Sequence, residues 1–115
     1  MTSYAVAHLR NVEMGPDIVA YLEAIDSTLA PFQGRFIIHG GEKEELEGAF
    51  TDDLIVVAFP DRLAARAWYA SPAYQAILTK RRGRSQGDVF LIDGVDEGHR
   101  ATDILSRTSQ SAIAR

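Results

Sequence analysis

Apolar positions along the chain fall into two rhythms, one suited to strands and one to helices. Tyr4 to Leu9 is a short β-compatible run closed by Arg10 and Asn11, and it reads as a strand. Gly15-Pro16-Asp17 then opens a helix. Pro16 sits where a missing N–H does no harm, and Asp17 lies near the positive end of the helix dipole. Ile18, Tyr21, Leu22, Ile25 and Leu29 recur at three- and four-residue spacing and make one apolar stripe, which Pro31 and Gly34 end. Arg35 to His39 is the second strand, stopped by Gly40-Gly41, and an acidic, turn-like stretch follows it. Leu54 to Phe59 is the third strand, stopped by Pro60. Asp61 suits the N-cap of a second helix carrying Leu63, Ala64, Ala67 and Trp68. Ser71-Pro72 interrupts that helix and offers a fresh cap and first helical position, from which Tyr74, Ile77 and Leu78 carry an apolar face to about Arg82. Val89 to Ile92 is the last strand, closed by Asp93-Gly94.

The order β-α-β-β-α-β predicts an α+β, ferredoxin-like fold: a four-stranded antiparallel sheet with two helices on one face. Residues 1–94 make the domain and residues 95–115 a C-terminal extension, with a short helix starting near Thr102 and an isolated Ile113 beyond it. Strands with one buried face should alternate apolar and polar residues, and these do not. Leu54, Val56 and Ala58 oppose Ile55, Val57 and Phe59; Phe90 and Ile92 oppose Val89 and Leu91; Phe36 and Ile38 oppose Arg35, Ile37 and His39. Two helices cover one face only. The other is expected to be covered by a second copy, giving a homodimer through the open sheet face, with the chain's own tail as the alternative cover.

Composition narrows the chemistry. The chain has 115 residues, a formal net charge of −4, 46% hydrophobic residues and no cysteine. That is one domain, long enough to bury roughly two thirds of its unfolded surface. Without Cys there are no disulfides, thiol nucleophiles or thiolate metal sites. The acidic balance argues against nucleic acid, and the third strand lacks the basic-Gly-aromatic pattern of RNA-recognition modules. No apolar run is long enough to cross a bilayer and no signal-peptide pattern opens the chain, so a cytoplasmic location is expected.

Among residues that carry chemistry, His39 ends a strand before Gly40-Gly41 and suits an acid, a base or a hydrogen-bonding anchor. It equally suits a strand-end histidine bonded to a backbone carbonyl. His8 stands two strand spacings from it in this topology, roughly 10 Å and too far to share a metal, and no metal site is expected. The acidic loop (Glu42, Glu44, Glu45, Glu47, Asp52, Asp53) lacks the spacing of a calcium loop and reads as a solvated connection. Lys80, Arg81, Arg82 and Arg84 complement the negative end of the second helix or offer a handle for an anion. Ser71 is explained by capping, and Trp68 by the core. Tyr69 and Tyr74 either find backbone partners or point a hydroxyl into a pocket. Neither GxGxxG nor GxxxxGK[ST] occurs, and no cofactor is expected.

The stretch AWYASPAYQAILTKR resembles the Trp-Tyr, Ser-Pro, Tyr-Gln and downstream Arg pattern of domain-of-unknown-function family 1330, at Trp68, Tyr69, Ser71, Pro72, Tyr74, Gln75 and Arg81. Gly34-Arg35, Gly40-Gly41, Glu47-Gly48 and Phe59-Pro60 are similar to further elements of that family, over about Tyr4 to Gly94. Ala73 stands at a commonly acidic position, and Phe32-Gln33 replaces a glycine expected before Gly34. The resemblance implies a dimeric α/β barrel of ferredoxin-like protomers and brings no established reaction. The wider superfamily includes cofactor-free monooxygenases, isomerases, haem-binding enzymes and ligand-sensing domains, a fold-level analogy only. The expected function is a homodimeric small-molecule-binding protein or cofactor-independent enzyme with a pocket between sheet and helices. In it His39 is the acid, base or anchor, Arg35 or Arg81 holds an anionic group, and Tyr69 and Tyr74 donate hydrogen bonds. The alternative is a non-catalytic ligand-sensing or assembly module.

Overall fold

The computed structural model describes residues 1–105. Strand β1 (Ser3–Arg10) is followed by helix α1 (Pro16–Leu29), strands β2 (Arg35–His39) and β3 (Asp53–Phe59), helices α2 (Arg62–Ala70) and α3 (Pro72–Arg82) and strand β4 (Gln86–Asp93). All strand pairs are antiparallel, in the order β2-β3-β1-β4. This is the ferredoxin-like sheet the element order predicts. Among the described residues it carries three α-helices rather than two, because Ser71 and Pro72 break the second. Ser71 takes an extended conformation and its hydroxyl accepts from the Tyr74 N–H, capping α3, as the Asp61 carboxylate caps α2 through the Ala64 N–H. Each such cap is worth about 1 kcal/mol. The tail forms a 3-10 turn at Ala101–Asp103, one residue ahead of the expected helix start, and Ile113 lies outside the described residues. Among the described residues no helix is long and apolar enough to cross a membrane.

Cross-strand register assigns the faces. Phe36, Val57, Ala5 and Leu91 form one row on the helix side, and His39, Ile55, Ala7 and Val89 the next. Ile38, Val56, Val6 and Phe90 form a row on the open side. The second strand therefore departs from the strict alternation expected of it. A β-bulge between Phe36 and Ile38 absorbs Ile37, so His39 joins Phe36 on the helix side while Ile38 joins Arg35 on the open side. An extra residue in one strand of a pair does this, since it reverses the facing of everything after it. Gly40, at φ +73°, then turns the chain away from the strand end.

The two helical layers approach the sheet differently. Helix α2 lies close on β1, β3 and β4, whereas α1 makes its closest backbone approach to α3. Helix α2 turns the small Ala64 and Ala65 inward beside Trp68, and α1 turns in Ile18, Tyr21, Ile25 and Leu29. Leu63 and Ala67, expected on the apolar face of α2, point outward, since the helix starts at Arg62 and residues three apart from Ala65 define its inner side. At β4 the sheet tolerates only glycine opposite Leu9, because a Cβ on Gly87 would collide with the His8 carbonyl oxygen. Gln33, at φ +60°, occupies the left-handed conformation that a glycine would adopt freely, at a cost of about 1 kcal/mol.

Asp93 closes the sheet edge against α2. Its carboxylate accepts from the Ser3 hydroxyl at 3.0 Å and from Arg62 Nε at 3.0 Å. The Arg62 hydrogen bond, then that of Ser3, hold its pKa below the ordinary carboxylate range. A depressed carboxylate stabilises the fold above the unfolded-state pKa, and this contribution is lost as pH falls through the folded value. The acid limb of the stability curve should therefore be shallower in Asp93→Asn than in the parent. Thermal melts from pH 7 to pH 2 read this directly, and parallel acid limbs would contradict it.

Candidate functional site

A cavity of about 220 Å3 opens between α1 and the sheet. Ala5, Ala7 and Leu9 of β1, Ile55 and Val57 of β3 and Phe36 of β2 line it from below, and Ile18, Tyr21, Leu22 and Ile25 of α1 from above. Trp68, Tyr74 and Arg81 also line the wall, which is apolar over most of its surface. The space exists because α1 stands off the strands while α2 does not.

Besides Asp53 of β3, which lines its sheet side, polar groups enter it at two places. His39 is exposed on the edge strand, and its ring stacks on Phe36 at 4.4 Å and 11°, so the imidazole lies flat at the solvent side of the cavity. The second group is buried. Tyr21 of α1 and Tyr74 of α3 share a hydroxyl–hydroxyl hydrogen bond of 2.7 Å, with rings edge-on at 6.1 Å. Arg81, two helical turns after Tyr74, brings its guanidinium carbon to 5.8 Å from the Tyr21 ring centre. It is only 8% exposed, whereas Arg82 next to it faces solvent. Burial, then the charge and hydrogen bond of Tyr74, push the Tyr21 phenol well above its ordinary range, with Arg81 opposing. Burial works against the charge on Arg81, but Tyr74 and then Tyr21 outweigh it and its pKa is raised. Near neutral pH the site thus offers the neutral Tyr21 phenol beside a fixed positive charge.

The residues expected at a site do not all meet here. His39, Tyr74 and Arg81 do. Arg35 does not, because it pairs with Ala58 and so lies on the open side of the sheet. Tyr69 does not either: its ring packs against Trp68 at 6.1 Å and Tyr74 at 5.5 Å, outside the cavity lining. Arg84, from the same basic cluster as Arg81, pairs with Asp17 at 3.0 Å and Glu13 at 3.5 Å. Tyr21 escaped the sequence reading because it sits within an apolar stripe. The available signal was its hydroxyl, which a buried position obliges to find a partner.

The opposite face of the sheet holds a different arrangement. His8 Nε2 meets Asp52 Oδ2 at 2.8 Å, with the Phe50 ring 4.9 Å from the imidazole. His8 pairs with Leu54 and so faces away from His39, which makes the two histidines independent. Around it the open face carries Val6, Ile38, Phe90 and Ile92, the last three between 41% and 49% exposed.

Residues 2–95 match the family Domain of unknown function (DUF1330). The chain belongs to that family. Among curated proteins none matches this DUF1330 chain in sequence. Several solved structures share its fold. A protein of unknown function from Rhodopseudomonas palustris is 15% identical, with 83% of each chain covered and a TM-score of 0.61. SnoaB, a cofactor-independent oxygenase from Streptomyces nogalater, is 17% identical over 86% of this chain and 98% of its own, with a TM-score of 0.59. A dimeric ferredoxin-like protein of unknown function from Jannaschia sp. CCS1 is 15% identical over 84% of this chain and 100% of its own, at a TM-score of 0.59. At such identities the likeness is one of fold.

Proposed function

We propose that the DUF1330 chain works as a homodimer that binds a small organic molecule between sheet and helices, any chemistry there resting on its own side chains without a cofactor. The observation that carries this reading is the apolar cavity under α1, entered by His39, Tyr74 and Arg81 and by few other polar groups. Such a mixture suits a ligand held by apolar contact and oriented by a few hydrogen bonds. His39 is the group fitted to exchange a proton with the ligand, being an exposed imidazole at the cavity's solvent side. Kinship of fold with a cofactor-independent oxygenase is compatible with this reading. For assembly, the partner is a second copy seated on the open sheet face, where Ile38, Phe90 and Ile92 stand between 41% and 49% exposed. The Jannaschia protein, described as dimeric, is compatible with a homodimer.

Ligand-induced thermal shift across a metabolite panel tests the pocket. A ligand present at a hundred times its Kd stabilises the native state by about 2.7 kcal/mol, a rise in Tm on the order of 10 °C for a domain of this size. Such a hit should lose its shift when Ile55→Trp fills the cavity. A panel without hits, or a shift that survives the filled cavity, would refute the reading.

A further inference from the structure

The buried end of the cavity has a feature that general apolar binding does not need. Arg81 is charged, nearly inaccessible and lies beside a wall of hydrocarbon, yet among the described residues no carboxylate stands within 4.0 Å of it. A buried cation without a counter-charge is costly, and structures keep one where something of opposite sign completes it. The neighbouring groups fit that role. Of the two hydrogen-bonded hydroxyls, only one proton is used in the Tyr21–Tyr74 bond; the other remains to be donated. Raised above its usual range, the Tyr21 phenol stays a donor rather than an anion. Among the described residues no other arginine or lysine lines the cavity, Arg84 being engaged with Asp17 and Glu13 and Arg82 facing solvent.

We infer that Tyr21, Tyr74 and Arg81 form an oxyanion-binding subsite, and that the ligand is a small, ring-sized apolar molecule carrying one anionic oxygen group such as a carboxylate, an enolate or a phenolate. The inference rests on the pocket reading above and adds the ligand's charge and its orientation. The oxyanion lies against Arg81 and the free phenol proton, and the hydrocarbon lies over Ala7, Ile55 and Val57. Size sets the skeleton: a dry cavity of about 150 Å3 already takes up benzene, so one or two rings suit the 220 Å3 here. Phosphate esters and di-anions fit poorly, because a single guanidinium would face two charges in an apolar enclosure.

The experiment compares two probes of one shape, 2-naphthoate and its neutral amide 2-naphthamide, by calorimetric titration at pH 7. The parent protein should prefer the carboxylate at least tenfold. Arg81→Met keeps an apolar stem and should abolish that preference while the amide binds as before. Tyr21→Phe and Tyr74→Phe, which leave the ring packing, should each weaken the carboxylate more than the amide. Circular dichroism and melting of each variant establish that it is folded, and Arg81→Lys, retaining charge without the fork, should restore part of the preference. Equal affinity of the parent for both probes, or a preference that survives Arg81→Met, would overturn the subsite and leave the pocket reading standing. Failure of both probes to bind would overturn the subsite and the ring-sized ligand class together, whereas only the metabolite panel and the filled cavity decide the pocket itself.

Discussion

Replacing Trp68 with alanine should remove about 3–5 kcal/mol of folding stability, a large part of the 5–15 kcal/mol that a domain of this kind possesses. Trp68 is 4% exposed and stands where all the layers meet. Its ring lies 4.1 Å from that of Tyr74 and 5.4 Å from that of Phe59, tying α2 to α3 and to β3. Its indole N–H donates to the Thr28 hydroxyl at 3.0 Å, which in turn donates to the Ile25 carbonyl, so the same side chain reaches the end of α1. Alanine would leave a void next to an existing cavity, which the surrounding helices cannot close without moving. With m near 1–3 kcal/mol per M for urea, the unfolding midpoint should fall by roughly 2 M. Trp68→Phe keeps most of the ring contacts and loses the Thr28 bond, and a drop of about 1 kcal/mol is expected for it. A Trp68→Ala midpoint within 0.5 M or so of the parent would contradict this account of the core.

How much of this was legible beforehand depends on whether a residue's role is local. Caps are local, and Pro16, Asp61 and Ser71 perform the roles their types predict. The two-sided apolar strands also announced an exposed face on the sheet. The site was less legible. Arg-Phe-Ile-Ile-His carries no glycine or proline to mark a bulge, so strict alternation put His39 on the wrong side of the sheet relative to Phe36. That bulge is set by pairing with β3, a long-range event. Arg81 reads as a handle for an anion, but nothing in its basic cluster marks it as the buried member. Its spacing from Tyr74 and Leu78, seven and three residues, places all three on one helix face, and that face is the buried one. Local charge pointed outward while helical period pointed inward, and the period prevailed because α1 and the Tyr21 hydroxyl lie opposite. Arg35 is the converse case. Its charge matched the expected chemistry, but its register with Ala58 carried it to the other face.

The open face makes the second large effect. Phe90→Asp should convert the protein from dimer to monomer while leaving the protomer folded. Phe90 is 48% exposed in the protomer, so an aspartate there meets water and costs the isolated chain little. In a two-fold dimer the face is self-complementary, and one substitution acts twice. Each copy forfeits about 2 kcal/mol of aromatic burial and gains a carboxylate beside Val6 on an apolar face. Truncating a good interface and burying an unpaired charge together weaken association by at least about a thousandfold, or 4 kcal/mol. Light scattering on a sizing column should give the parent twice the 12.6 kDa protomer mass at micromolar concentration, and the variant a single protomer mass. Leu63→Asp, equally drastic but on the outward side of α2 at a residue 73% exposed, should remain dimeric. The pairing of the two variants separates the face from general surface charge. A monomeric parent, or a Phe90→Asp variant that elutes as a dimer, would remove the open sheet face as the site of assembly. Because His39 and Arg81 lie on the other side of the sheet, the monomeric variant should still bind its ligand wherever the cavity is complete within one protomer.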